Sequence, residues 1–160
     1  MKVIGIDPGL ADTGIGIVHG SGAFVDGYSY GNISTSKDDL PGYRLNRIYS
    51  KIAELLTAEQ PNLMVIEDVF SLKAYPRSGI SLGQVTGVVL LAAHRTEVAV
   101  ERVSVREVKQ VITGNGNAGK KQLAEAVRRL LSHDGPIRPD HASDALSLAV
   151  VGLFRYDRLS

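Results

Sequence analysis

The sequence predicts an α/β protein, a mixed β-sheet carrying helices on its faces. Three observations lead there. Short apolar runs joined by tight glycine turns fill the first 34 residues, "KVIGID" (2–7), "TGIGIVHG" (13–20) and "AFVDGYSYGNIS" (23–34), as in an antiparallel meander. Apolar residues then recur at helical spacing, in Leu45, Ile48, Ile52, Leu55 and Leu56. Two more short apolar runs, "NLMVIED" (62–68) and "VAVERV" (98–103), alternate with helical stretches, the pattern of strands linked by α-crossovers.

In order, the first strand stops at Pro8-Gly9 and two hairpin-linked strands follow. A helix spans Leu45 to Glu59, and Pro61 launches the fourth strand. A polar and aromatic loop, "VFSLKAYPRSG" (69–79), leads to a small-residue helix from Ile80 to Arg95. After the strand at 98–103, helical stretches are predicted at 104–112, 119–132 and 141–156. The order is β-β-β-α-β-α-β-α with further helix behind it. No linker, repeat or low-complexity segment interrupts it, so one domain is expected over residues 1–160.

The composition is that of a globular protein, with 44% hydrophobic and 22% charged residues. No apolar run reaches the length of a membrane span, and the start enters a strand without a signal-peptide pattern. With no cysteine there is no disulfide framework or thiolate metal site, and a cytoplasmic location is expected. The net charge of +1 is uninformative, but its distribution is not. Arg102, Arg106, Lys109, Lys120, Lys121, Arg128 and Arg129 face only Glu107 and Glu125 in that stretch. Such a surplus suits a polyanion better than a neutral metabolite.

Within it, "TGNGNAGKKQ" (113–122) resembles a phosphate-binding loop with the last position missing. That loop needs a strand before its glycines and a Ser or Thr after its Lys. Here the preceding "SVREVKQVIT" has helical spacing and Lys121 follows Lys120. A helix-turn-helix connection whose amides and lysines meet phosphates fits better than ATP.

The carboxylates carry the chemistry. Asp7 ends the first strand and Glu67 the fourth, where open α/β sheets place their sites. If those strands are parallel neighbours, both acids leave one edge on strands about 4.8 Å apart. A charge closing the buried run "IGID" needs a partner. In "RPDHASDALSLAV" (138–150), Asp140 fits an N-cap, whereas His141 and Asp144, three apart, share a face. These groups have the hard oxygen donors that Mg²⁺ or Mn²⁺ prefers. Two such ions about 4 Å apart can activate water and stabilise the leaving oxygen of a phosphodiester.

"GIDPGLADTG", "VIEDVF", "SLGQVTGVVLLAA", "VREVKQVITGNGNAGKKQL" and "DHASDALSLAV" together resemble the RuvC family of Holliday-junction resolvases, over nearly the whole chain and in the family's order. The resemblance implies a ribonuclease H-like fold with a five-stranded sheet in the order 3-2-1-4-5. It also implies a homodimer that nicks two strands of a four-way DNA junction symmetrically, with 5′-phosphate and 3′-hydroxyl ends. RuvA and RuvB, the branch-migration motor proteins, are the implied partners. By position, Asp7 and Glu67 match the first two catalytic and metal-binding acids and Asp144 the last. The third falls on His141, where many members carry Asp. Imidazole suits Mn²⁺ better than Mg²⁺, so Mn²⁺ is expected to be favoured, with His141 on the second metal or its water. Phe70 matches an aromatic that stacks on bases near the crossover, worth about 1–3 kcal/mol. Lys109 and Lys120 match DNA-contacting lysines, and Lys121, Lys73 and Arg77 are expected to track the backbone beside them. Gly79, Gly83 and Gly87 present a flat helix face, for the sheet or, as the family implies, for a second copy.

Rival readings share parts of this pattern. A ribonuclease H-like nuclease acting on a ribosomal-RNA precursor would use the same acids, but Phe70 and the two-lysine turn favour a junction. Actin-like phosphotransferases also open with a strand, Asp and Gly, yet need two such domains. A catalytically inactive junction-binding module would not be expected to keep Asp7, Glu67 and Asp144.

Overall fold

The structure is a computed structural model describing residues 1–68 and 76–157, with side chains throughout except at 76–78. Its elements are β1 (Lys2–Asp7), β2 (Asp12–Ser21), β3 (Phe24–Ser34), α1 (Pro41–Glu59), β4 (Leu63–Glu67), α2 (Pro76–Arg95), β5 (Val100–Val103), α3 (Val105–Thr113), α4 (Lys120–Leu130) and α5 (Asp140–Tyr156). The sheet runs β3-β2-β1-β4-β5, as expected. β1, β2 and β3 pair antiparallel, whereas β4 pairs parallel with both β1 and β5.

Three boundaries differ from the periodicity. α1 begins at Pro41 rather than Leu45, and α2 at Pro76 rather than Ile80, so part of the expected 69–79 loop is helix. Proline presets φ for a first turn, where its missing N–H costs nothing. β5 begins at Val100 rather than 98, because the amide of Val98 still bonds the carbonyl of Ala93 at the end of α2 (3.0 Å).

Strand alternation divides the core in two. Ile4, Ile6, Met64 and Ile66 pack against α1 and α2 through Ile48, Ile52, Leu56, Val85 and Val89. Val3, Val65 and Val103 point the other way, with Val108, Val127, Leu146 and Leu153 of α3, α4 and α5. The same parity puts Asp7 and Glu67 on the α5 side, since each follows a residue of the α1–α2 side.

α5 is apolar nearly all round, with Ala142, Leu146, Ala149, Val150 and Leu153 fully buried, and is the central helix of the fold. It lies directly on backbone. Gly5 and Gly16 face each other across the β1–β2 ladder, and Asp7 faces Gly14. A Cβ on Gly5 would be driven into the carbonyl oxygen of Ala145, one on Gly16 into the amide of Leu146, and one on Gly14 into the carbonyl oxygen of His141. The glycines therefore let the helix start touch down beside Asp7. Among the described residues no helix is long and apolar enough to cross a membrane.

Gly14→Ala is expected to lower stability by about 2 kcal/mol, because the methyl group has to lift α5 off β2. Gly31→Ala, on β3 with open space around it, should change stability by less than about 0.5 kcal/mol. Equilibrium urea unfolding of the two variants checks the contrast.

Candidate active site

The carboxyl ends of β1 and β4 and the first turns of α4 and α5 meet at one edge of the sheet. Asp7 and Glu67 each stand one residue beyond the parallel pair Ile6 and Ile66. The chain leaving Asp7 is held in place: Thr13 Oγ1 donates to the carbonyl of Gly9 (2.8 Å), and the Thr35 amide to that of Ala11 (2.9 Å). From α5, the His141 ring sits on Asp7, with Nδ1 2.6 Å from Oδ2. Asp144, one turn later, meets Lys120 at the start of α4, Nζ to Oδ2 3.1 Å.

Burial and like charge set the electrostatics. Asp7 is only 9% exposed, and desolvation raises its pKa despite the opposing hydrogen bond and charge of His141. Glu67 is pushed up to about 7, first by burial and then by the charges of Asp7 and Asp144. Lys120 is raised by its hydrogen bond to Asp144. The edge thus concentrates negative charge that is expensive to ionise without added positive charge. Three carboxylates and an imidazole are a donor set suited to a hard divalent cation, and their mutual repulsion is what such an ion would relieve. Among the described residues no three His, Asp or Glu side chains are already drawn together around one point. Asp7 instead pairs with His141, and Asp144 with Lys120.

The structure brings Asp7, Glu67, His141, Asp144 and Lys120 to one edge. Lys121 lies beside Lys120 on α4, exposed, and Lys109 is half-buried on α3. Phe70 and Lys73 lie outside the described residues, and Arg77 falls in the first turn of α2 with its side chain outside them. The turn at 113–122 is a helix-turn-helix connection, as expected. Gly114 closes α3 in the left-handed conformation (φ 74°), and the Gln110 side chain bonds both the Gly114 carbonyl (2.9 Å) and the Gly116 amide (3.0 Å). Lys120 does more than follow a backbone loop, since its ammonium reaches into the acid cluster. Asp140 is not the N-cap. Pro139 takes that position in extended conformation, so Asp140 is already helical and its carboxylate turns to Arg138 instead (2.5 Å).

Sequence reasoning missed Asp12. It accepts hydrogen bonds from Asn32 (2.8 Å) and Ser34 (2.5 Å), and the Ser34 bond is the main cause of its lowered pKa. The charge of His141 is the smallest of the causes that lower it. The signal lay in "DPGLAD", which sets Asp7 and Asp12 at the two ends of one short connection.

A nuclease of the ribonuclease H-like kind is the class that this sheet order and acid-lined edge define. The model of the family described as crossover junction endodeoxyribonuclease RuvC matches residues 3–152. The RuvC of Treponema denticola is 40% identical over 148 residues, covering 92% of this chain and 83% of that protein. The RuvC of Natranaerobius thermophilus is 33% identical over 150 residues, 94% and 92% of the two chains. Among solved structures, Thermus thermophilus RuvC in complex with a Holliday junction substrate superposes with a TM-score of 0.92 at 30% identity, over 99% of this chain and 96% of that one. This chain belongs to the RuvC family of crossover junction endodeoxyribonucleases.

The raised carboxyl of Glu67 has a signed consequence. Its folded pKa of about 7 exceeds the ordinary 4.5, so the folded state holds the proton more tightly than the unfolded one. That contribution is complete below pH 4.5 and is lost as pH rises to 7. In EDTA, stability is expected to fall by about 1–2 kcal/mol across this window, solvent screening of the partly exposed carboxyl being discounted. Glu67→Gln should flatten the profile, as read by thermal melts from pH 4.5 to 8.

Proposed function

We propose that this chain is a Holliday-junction resolvase that cuts four-way DNA junctions by paired symmetric nicks, leaving 5′-phosphate and 3′-hydroxyl ends, through one domain spanning residues 1–160. The observation that carries this reading is the meeting of Asp7, Glu67 and Asp144 at one sheet edge with Lys120 among them. Asp7, Glu67 and Asp144 would hold two divalent cations, with His141 completing the set. When bound, such ions activate water for attack on the phosphodiester and neutralise the leaving oxygen.

The chain's own residues do the rest. His141, fixed on Asp7, is held in one orientation beside the acids. Lys120, Lys121 and Lys109 supply positive charge to the backbone, and Phe70, Lys73 and Arg77 belong to the same DNA face. Imidazole in place of a carboxylate favours Mn²⁺ over Mg²⁺. The α2 face with open space at Gly83 and Gly87, flanked by exposed Ile80 (65%) and Leu91 (49%), supports a homodimer built on that helix. A twofold dimer matches the near-twofold junction. The setting is cytoplasmic, on the nucleoid, with RuvA and RuvB delivering the junction.

Cleavage of an end-labelled four-way junction tests the reading. Wild type should give symmetric nicks, and Asp7→Asn should bind the junction without cutting it. Binding with no cleavage by wild type in either metal would favour an inactive module, and preference for structured RNA would favour the RNA nuclease. In the same assay wild type should be faster in MnCl₂ than in MgCl₂, and His141→Asp should shift the preference toward Mg²⁺. Equal rates in both metals for both proteins would remove His141 from the metal set. Separately, Leu91→Glu should convert dimer to monomer in sedimentation equilibrium without unfolding the chain.

A further inference from the structure

Beside the acid edge, a cleft of about 410 Å³ opens between α4 and the start of α5. Lys120 and Asp144 form its inner end, so it is continuous with the catalytic cluster. Ala124, Pro136 and Ile137 line it with apolar surface and Lys121, Arg128 and Arg138 with positive charge, and the carboxylates of Glu125 and Asp140 in its wall are paired with Arg128 and Arg138. The cations are not equivalent. Arg128 is committed to the Glu125 carboxylate (2.8 and 2.9 Å) and to the carbonyl of His133 (3.0 Å), and Lys120 to Asp144. Lys121 has no partner among the described residues. Arg138 is held over the cleft by one nitrogen on Asp140, which leaves its other donors unused among the described residues. The first turn of α5, which has no side-chain cap, lines the same space.

Apolar lining beside two cations with donors to spare suits a nucleotide, its base on Ala124, Pro136 and Ile137 and its phosphate on the cations. A strand whose cleaved phosphate lies on Asp144 has its neighbouring nucleotide within one nucleotide's reach of that residue. A cleft of this size is on the scale of one nucleotide, and a base seated in it has left its stack. We propose that this cleft is a subsite for an unpaired nucleotide flanking the cleaved bond, with its base on Ala124, Pro136 and Ile137 and its phosphate between Lys121 and Arg138. The proposal rests on the resolvase reading and adds to it a place where the strand is opened beside the nick.

A protein–DNA cycle tests it. Junctions carrying one neutral methylphosphonate, or one abasic residue, at each of two positions on either side of the nick are bound in EDTA to wild type and to Lys121→Gln/Arg138→Gln. Fluorescence anisotropy gives the Kd values, and thermal melts confirm that the doubly substituted chain is folded. At one position the methylphosphonate should weaken wild type about 5–10-fold and leave the variant unchanged. An abasic residue on that nucleotide should weaken wild type by a similar factor. Penalties that multiply with the variant's own loss at every position would overturn the phosphate contact. Abasic residues tolerated everywhere would overturn the base site. A wild type that binds the junction no better than a linear duplex would overturn the resolvase reading itself, a result distinct from either of these.

Discussion

Everything at the functional edge depends on a helix lying directly on strand backbone. Where side chains separate a helix from a sheet, they hold its first turn clear of the strand ends. At Gly5, Gly14 and Gly16 that spacer is missing, and α5 comes down until carbonyl and amide atoms occupy the space of side chains. The approach is as close at Gly14, the ladder partner of Asp7, as at Gly5. His141 therefore reaches Asp7 from the helix's first turn, and Asp144 arrives one turn later, where its charge helps to raise Glu67. The position of the edge follows from residues that have no chemistry of their own.

The edge is electrostatically unfavourable when left to itself. Asp7 and Glu67 are both raised, and in Glu67 the charges of Asp7 and Asp144 add to the effect of burial. The chain offsets part of this with an imidazole on Asp7 and an ammonium on Asp144. Such an arrangement gives up folding stability for a strong attraction to positive charge, which is what a site for hard cations requires. Asp12 differs, because Asn32 and Ser34 hydrogen-bond its carboxylate and favour its ionised form near the sheet rim.

Much of this was legible in the sequence. The strand-ending acids, the "DHASDAL" helix start and the two-lysine turn identified the edge, because burial of an acid and its spacing on a helix are local properties. Helix starts were read late at Pro41 and Pro76, since apolar periodicity begins only after the first turn. Asp140 was misread for a related reason: an Asp before an apolar helix fits a cap, and only the extended conformation of Pro139 moves the cap one residue back. The pairings of Lys120 with Asp144 and of His141 with Asp7 depend on which segments the fold brings together, and no spacing along the chain encodes that. The glycine contacts belong between these cases. The glycines stood in plain view inside the strands "KVIGID" and "TGIGIVHG", but their role is defined by a helix more than 120 residues further on.

The sheet also works as a partition. Ile4, Ile6, Met64 and Ile66 look toward α1 and α2, whereas their immediate neighbours Val3, Gly5, Val65 and Glu67 look toward α5. Among the described residues the two sides form separate apolar clusters, so free-energy changes made on one side should largely add to those made on the other. The α1–α2 layer carries the exposed face around Gly83 and Gly87, and the opposite layer carries the acids. Five strands with opposite faces thus give one small chain two separate layers, one for chemistry and one for contact.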